Sequence, residues 1–245
     1  MGVAHRKPSK RDPSRPKPGP HDVSRAKRVQ DYAYKKRFYQ SREVAEDYDF
    51  HRWGTPERAR RNLKKWRTIL AALAQADDIH TILDLPCGTG RFTGSLAESG
   101  YEVVGADISL EMMRIARRKL GHVDGLHGYV RADAEMLPLR DGAFDCVMSI
   151  RFLFHLDPET RVRVLREMAR VASRWLILDY RHKYSYRYAT WKLRWVLGLT
   201  RVPLVRVSRA QVEEELNAAG LELVAILPVT RVFSDKWIVL ARKRG

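Results

Sequence analysis

"ILDLPCGTGRF", residues 82–92, runs an apolar strand into an acid, a Pro-Cys pair and two glycines before a helix can begin. In an open parallel sheet, ligands bind beyond the carboxyl ends of the strands, and glycines there let the backbone come close to a ligand while the next helix starts. The stretch therefore predicts a strand, a tight turn and a helix with a binding site at the turn. Gly88 and Gly90 are the residues that make room. Short turns also use glycine, so this stretch alone leaves the ligand open.

Strands and helices alternate on both sides of that turn. Thr55-Pro56 reads as an N-cap followed by proline at the first helical position, with Leu63, Trp66, Leu70 and Leu73 recurring at helical spacing. After "TILDL" (81–85) and the glycine turn come a helix ending at Gly100 and a second strand, "YEVVGAD" (101–107). Ser109 caps a helix carrying Leu110, Met113 and Ala116. "LHGYVRAD" (126–133) and "FDCVMSI" (144–150) are the third and fourth strands. Asp157-Pro158 opens a helix with Val162, Leu165 and Met168 ahead of "WLILDY" (175–180). Ser208 and Gln211 have capping-box spacing, and Gly220 closes that helix. The runs 221–229 and 232–241 then lie too close together for a crossover helix, so they are antiparallel to each other. The expected fold is α/β and doubly wound: a mostly parallel seven-stranded sheet with a reversed last strand and helices on both faces.

With 245 residues and 44% hydrophobic side chains, the chain has room for one sizeable domain. Its formal net charge of +17 is concentrated at the start, where residues 1–40 hold twelve Lys or Arg against three Asp. The prolines at 8, 13, 16, 18 and 20 add to a composition that cannot offset the entropy of ordering, so residues 1–22 are expected to be disordered. From residue 23 to 40, Tyr32, Tyr34, Phe38 and Tyr39 interleave with Lys and Arg, a pattern that can form a helix on an acidic surface. An anionic membrane, RNA or plain solvent are the alternatives for this basic segment. The division expected is a tail over 1–40 and a single domain over 41–245. Cys87 and Cys146 lie in separate apolar contexts without metal-ligand spacing, so neither a disulfide scaffold nor a metal is expected. No signal region or long apolar run occurs, which makes the cytoplasm the expected location, with a peripheral membrane position open.

Asp107, at the end of the second strand, stands where a carboxylate accepts hydrogen bonds from both hydroxyls of a ribose, so a nucleoside cofactor is expected. Nicotinamide binders of this topology show three spaced glycines, whereas here the third would fall on Ser95. Asp84, just before the turn, is also unfavourable to a pyrophosphate and favourable to a cofactor bearing an ammonium or sulfonium. With these residues in view, "ILDLPCGTGRF" resembles the first motif of class I S-adenosylmethionine-dependent methyltransferases of the type 11 group. "VVGADIS" resembles the second motif, and "VRADAEMLPLRDGAFDCVMS" the third and fourth. The resemblance covers residues 78–180 and, more loosely, the chain up to 241. It implies a Rossmann-like fold and S-adenosyl-L-methionine as cofactor, cradled by residues 84–90, including Pro86, Cys87, Gly88 and Gly90. It further implies that Asp107 holds the ribose and Ile108 packs on the adenine. Asp133 would meet the adenine amino group, Ala134 would offer its amide to a ring nitrogen, and Asp84 would face the methionine amino group. Pro86 departs from the family, which more often has a small residue there.

Methyl transfer from a sulfonium is an in-line displacement whose leaving group departs neutral, so alignment and desolvation are the main requirements. A general base is needed only if the acceptor must lose a proton. "RFLFHL", after the fourth strand, offers Arg151 and His155 as catalytic candidates. His155 has the alternative of packing the loop before Asp157, and Arg151 that of an ordinary surface pair. Tyr180 and His182 end the fifth strand at the same rim. Two segments are candidates for acceptor recognition: 42–54, with Tyr48, Phe50 and Trp53, and an insertion at 182–207. In the latter Tyr184, Tyr188, Trp191, Trp195 and Leu199 recur at helical spacing among Arg187, Lys192 and Arg194. Such a helix lies at a lipid interface, roofs an acceptor pocket or packs in the core. The expected activity is methyl transfer to a small-molecule or lipid-like acceptor. The alternatives are an RNA methyltransferase, although "SIRF" lacks the Asn/Asp-Pro-Pro-aromatic motif of amino-methylating nucleic-acid enzymes, and a non-catalytic cofactor binder. Residues 1–40 are expected to be dispensable for cofactor binding, and the oligomeric state stays open.

Overall fold

In a computed structural model that describes residues 32–42, 44–46, 55–200, 206–230 and 235–244, seven strands form one sheet. Among the described residues, helices α1 (Tyr32–Tyr39) and α2 (Pro56–Leu73) precede the sheet. The alternating part runs β1 (Thr81–Asp84), α3 (Arg91–Ala97), β2 (Glu102–Asp107), α4 (Leu110–Leu120), β3 (Leu126–Arg131) and β4 (Phe144–Ser149). A 3-10 turn (Leu153–His155) leads into α5 (Pro158–Val171), β5 (Ala172–Arg181) and α6 (Tyr186–Val196). The chain finishes with α7 (Arg209–Ala218), β6 (Leu221–Pro228) and β7 (Lys236–Lys243).

The spatial order is β3-β2-β1-β4-β5-β7-β6, with β1 to β5 parallel and β7 antiparallel to both β5 and β6. The last strand is reversed, as its short connection requires, but it sits one place in from the sheet edge. Burial accounts for this: Ile238, Val239, Leu240 and Ala241 are all inaccessible, whereas β6 leaves Val224 43% exposed and takes the edge. Order reverses between β1 and β4, so the crevice of a doubly wound sheet opens at their carboxyl ends. One sheet face is covered by α5 and α7 through Val164, Leu165, Val212 and Leu216. The other is covered by α2 and α3 through Ile69, Ala72, Phe92 and Leu96.

The helix starts follow the expected caps. The side chains of Thr55, Ser109, Asp157 and Ser208 each accept a backbone N–H of the first turn, and Gln211 completes the capping box with Ser208. The face of α2 does not follow the expected apolar spacing. Its buried side is Asn62, Lys65, Ile69, Ala72 and Leu73, while Leu63 is 49% exposed. An ion pair sets this rotation: the buried Lys65 ammonium donates to Asp179 near the end of β5, and burial pushes the lysine pKa down.

Helix α1 falls inside the segment read as a tail, yet Lys36 donates to Asp133 at 2.5 Å and to Glu135 at 2.7 Å. The acidic surface suited to this basic, aromatic segment belongs to the chain itself. Residues 1–31, Tyr48, Phe50, Trp53 and residues 201–205, for which disorder or acceptor recognition was expected, lie outside the described residues.

Candidate active site

The carboxyl ends of β1, β2 and β4 meet at a cleft, lined after β1 by Pro86, Cys87 and Gly88, after β2 by Asp107 and Ile108, and after β4 by Ile150, Arg151 and Phe152. β1 delivers Asp84, which is buried. A cis Leu85–Pro86 bond follows, and the Cys87 N–H donates to the Ala106 carbonyl at 2.8 Å, tying the turn to β2. Gly88 has φ +55°, and nothing stands within 4 Å of where a Cβ would be, so its bare backbone faces open space. Its N–H donates to Asp107 Oδ2 at 2.8 Å, while Ser109 N–H donates to Oδ1 at 2.8 Å. Asp107 thus joins the glycine turn to the start of α4 and also lines the cleft.

Gly90 serves differently from the expectation. At φ +81° it caps α3, and a Cβ there would lie 2.6 Å from Leu120 Cδ1 and 2.9 Å from Ala116 Cβ. Gly90 permits α3 and α4 to touch, and it does not line the cleft.

Two buried carboxylates stand at this end of the sheet, Asp107 on the cleft wall and Asp84 at the end of β1. Burial pushes the Asp84 carboxyl up to about 7; the Thr93 hydroxyl, donating at 2.7 Å, holds against that, and the charge of Asp107 adds to it. Burial likewise raises Asp107 to about 6, against the hydrogen bonds from Ser109 and Gly88. Burial and then these two acids push the Cys87 thiol well up, which makes it a wall and not a nucleophile. A ligand carrying ammonium and sulfonium charge would relieve both carboxylates, and the open space before Gly88 admits it; these residues fit S-adenosylmethionine. Of the residues singled out in the sequence, Pro86, Cys87, Gly88, Asp107 and Ile108 line the cleft. Asp84, Asp133 and Ala134 do not; the Asp133 carboxylate is held by Lys36, and Lys36 is the side chain on the wall.

A profile of the methyltransferase domain family matches residues 83–174. Residues 83–174 carry a methyltransferase domain of the class I, S-adenosylmethionine-dependent type. A ubiquinone/menaquinone biosynthesis C-methyltransferase (UbiE) of Pasteurella multocida is 38% identical over 107 residues, which are 41% of this chain and 40% of that protein. A demethylmenaquinone methyltransferase of Thermus thermophilus is 38% identical over 120 residues, 47% of this chain and 54% of that one. The chain thus spans about half the length, or less, of these curated relatives. The crystal structure of magnesium protoporphyrin IX methyltransferase (ChlM) from Synechocystis PCC 6803 with bound SAH shares the fold. Its TM-score is 0.63 at 19% identity, covering 85% of this chain and 99% of that one.

Around this methyltransferase domain's cleft, Arg151 and His155 both lie on the wall, with Ile150 and Phe152 between β4 and the 3-10 turn. Arg151 has φ +66°, a conformation that a non-glycine residue keeps only where its surroundings enforce it. The His155 ring lies 4.3 Å from that of Phe154 and 6.1 Å from that of Tyr39. Tyr180, by contrast, is core: its hydroxyl donates to Glu215 at 3.1 Å, and burial, then the Glu215 charge, raise its pKa far above the usual range. His182 is buried against Trp237 at 4.2 Å, and its Nδ1 accepts the Tyr184 N–H. The Trp191 and Trp195 rings lie 5.4 Å apart, tilted against each other on α6, and do not line the cleft.

Sequence reading missed the cleft residues that other elements bring in. Tyr32, Lys36 and Tyr39 arrive on α1, and Arg91, Phe92 and Met112 on the first turns of α3 and α4. The Tyr/Lys interleaving of 32–39 was the available signal for the first three.

Proposed function

We propose that this chain transfers a methyl group from S-adenosylmethionine to a small, lipid-like acceptor. The observation that carries the reading is a pair of buried carboxylates, Asp107 on the wall of a cleft lined mainly by apolar side chains and Asp84 at the end of the neighbouring strand β1. The cofactor supplies an electrophilic methyl on a sulfonium. Asp107 would hold its ribose, Asp84 its ammonium, and Ile108 and Met112 would flank its adenine. Lys36 would close the adenine side through Asp133. Phe152, Tyr32 and Tyr39 exclude water and would stack on a planar acceptor.

The quinone methyltransferases among the relatives support an aromatic acceptor carrying an apolar tail. On such an acceptor His155 would take the ring hydroxyl proton and Arg151 would stabilise the oxyanion; its electron pair would form the ring carbon–methyl bond as the methyl–sulfur bond breaks and the thioether leaves neutral, after which the ring carbon would release its own proton to solvent. We place the protein in the cytoplasm, in contact with membrane lipid; no helix among the described residues is long and apolar enough to cross a membrane.

The test is incubation of the full chain with methyl-labelled cofactor and cell extract, followed by separation of lipid, small-molecule and RNA fractions. Label is expected in the lipid fraction; label in RNA would reject this acceptor class. Calorimetry with Asp107→Ala should show cofactor binding weakened by about 1.5–3 kcal/mol, since ribose hydroxyls lose a charged acceptor. Unchanged affinity would reject the site.

A further inference from the structure

Helix α6 presents an apolar face to solvent. Of the thirteen large apolar side chains exposed among the described residues, seven fall within residues 184–199, a clustering that scattered surface residues do not show. At about 3.6 residues per turn, Tyr186, Ala189, Leu193, Val196 and Leu197 lie along one side of the helix. Tyr186 is 73% exposed and Val196 72%. Tyr188, Trp191 and Trp195 occupy the opposite side, ring on ring at 5.5 and 5.4 Å. Arg187 and Arg194 flank the outward stripe on one edge and Lys192 on the other. Between Asp179 and Glu213 the chain has eight Lys or Arg and no acid.

An apolar stripe between rows of cations is the pattern of a helix lying in the boundary between lipid head groups and acyl chains. A second copy fits worse: a two-fold contact sets the same patch against itself, bringing Arg187, Lys192 and Arg194 towards their own copies. RNA would match the cations but leave Leu193, Val196 and Leu197 facing phosphates. The strand that leads into the helix ends beside the cleft wall. The Arg181 guanidinium at the end of β5 lies 4.1 Å from the centre of the Phe154 ring, and Phe154 packs on His155.

We propose that α6 is an interfacial helix that seats this chain on a bilayer containing anionic lipid, with Tyr186, Leu193, Val196 and Leu197 at the acyl boundary and its cations on the head groups. The inference deepens the proposed function, whose lipid-like acceptor would then pass from bilayer to cleft past the end of β5.

The experiment is co-sedimentation of the full chain with phosphatidylcholine vesicles, with and without about 30 mol % phosphatidylglycerol. The parent should partition onto the anionic vesicles, and Leu193→Asp with Val196→Asp should lower that partitioning by about tenfold or more. Cofactor affinity, read by calorimetry, should stay the same in both, so failure here is distinguishable from failure of the methyltransferase reading. If the aspartates prevent folding, Leu193→Ser with Val196→Ser replaces them, with the same expectation. Equal partitioning of parent and variant would assign any vesicle binding to the basic N-terminal segment and overturn the proposal. So would a dimer in sedimentation velocity that the double variant breaks, or RNA binding that it abolishes while vesicles are never bound.

Discussion

Lys36 on α1 holds the Asp133 carboxylate at 2.5 Å and the Glu135 carboxylate at 2.7 Å, closing the edge of the cleft with a helix from outside the alternating fold. Burial opposes the lysine charge, but the two hydrogen bonds outweigh it and hold its pKa above the ordinary value.

Lys36→Ala should therefore loosen α1 more than it unfolds the protein. A partly exposed pair of this kind contributes about 1 kcal/mol or less, so the melting temperature should move little. Cofactor dissociation, followed by stopped flow, should speed up by about threefold to tenfold as the wall opens. Truncation to residue 41 should do the same or more, and a rate equal to that of the parent would show that α1 is no part of the site.

Gly88 and Gly90 are two residues apart and should fail in different ways. Gly88→Ala places a methyl in the open cleft and should weaken cofactor binding, with a stability loss of only about 1 kcal/mol from its positive φ. Gly90→Ala drives a methyl into Leu120 and Ala116 and should cost about 2–4 kcal/mol in denaturant melts. Equal losses of stability in the two variants would contradict this assignment.

Asp84 and Asp107 titrate at about 7 and about 6 in the folded chain, against 3.8 for an ordinary aspartate. Between those values the folded chain keeps protons that the unfolded chain has released. The cofactor-free protein should thus be most stable below pH 3.8 as far as these groups contribute, and that contribution should fall away as pH rises to about 7. A cationic cofactor favours the ionised carboxyls, so its affinity should rise over the same window. Calorimetry at a series of pH values checks the slope, which Asp84→Asn should flatten at its upper end; a parent whose affinity is flat with pH would rule out the linkage.

Lys65 and Asp179 form a buried pair in which Asp179 Oδ1 has no further partner among the described residues. Removing one member strands the other, so Lys65→Met should destabilise by about 3–5 kcal/mol, and adding Asp179→Leu should recover most of that. Chemical denaturation of both variants is the check. A double variant as unstable as the single one would mean that the site needs the carboxylate itself.

Local signals determined much of this protein before any tertiary contact is considered. The caps at Thr55, Ser109, Asp157 and Ser208, the alternation of strands and helices, and the glycine turn followed by Asp107 are written within a few residues of where they act. Hydrogen bonds between neighbours in the chain enforce them, so the sheet and the cleft lining at residues 86–88 and 107–108 were legible. Other features needed the fold. Gly88 and Gly90 look alike in sequence, and only the approach of α4 leaves one lining the cleft and makes the other a helix contact. Lys65 reads as a polar position until Asp179, 114 residues away, turns its side of α2 inward. Lys36 reads as part of a basic tail until β3 brings Asp133 beneath it. Tyr180 reads as a rim residue until Glu215 claims its hydroxyl. In each of these the deciding partner is distant in the chain, and burial, which makes the pairing strong, exists only once the sheet has formed.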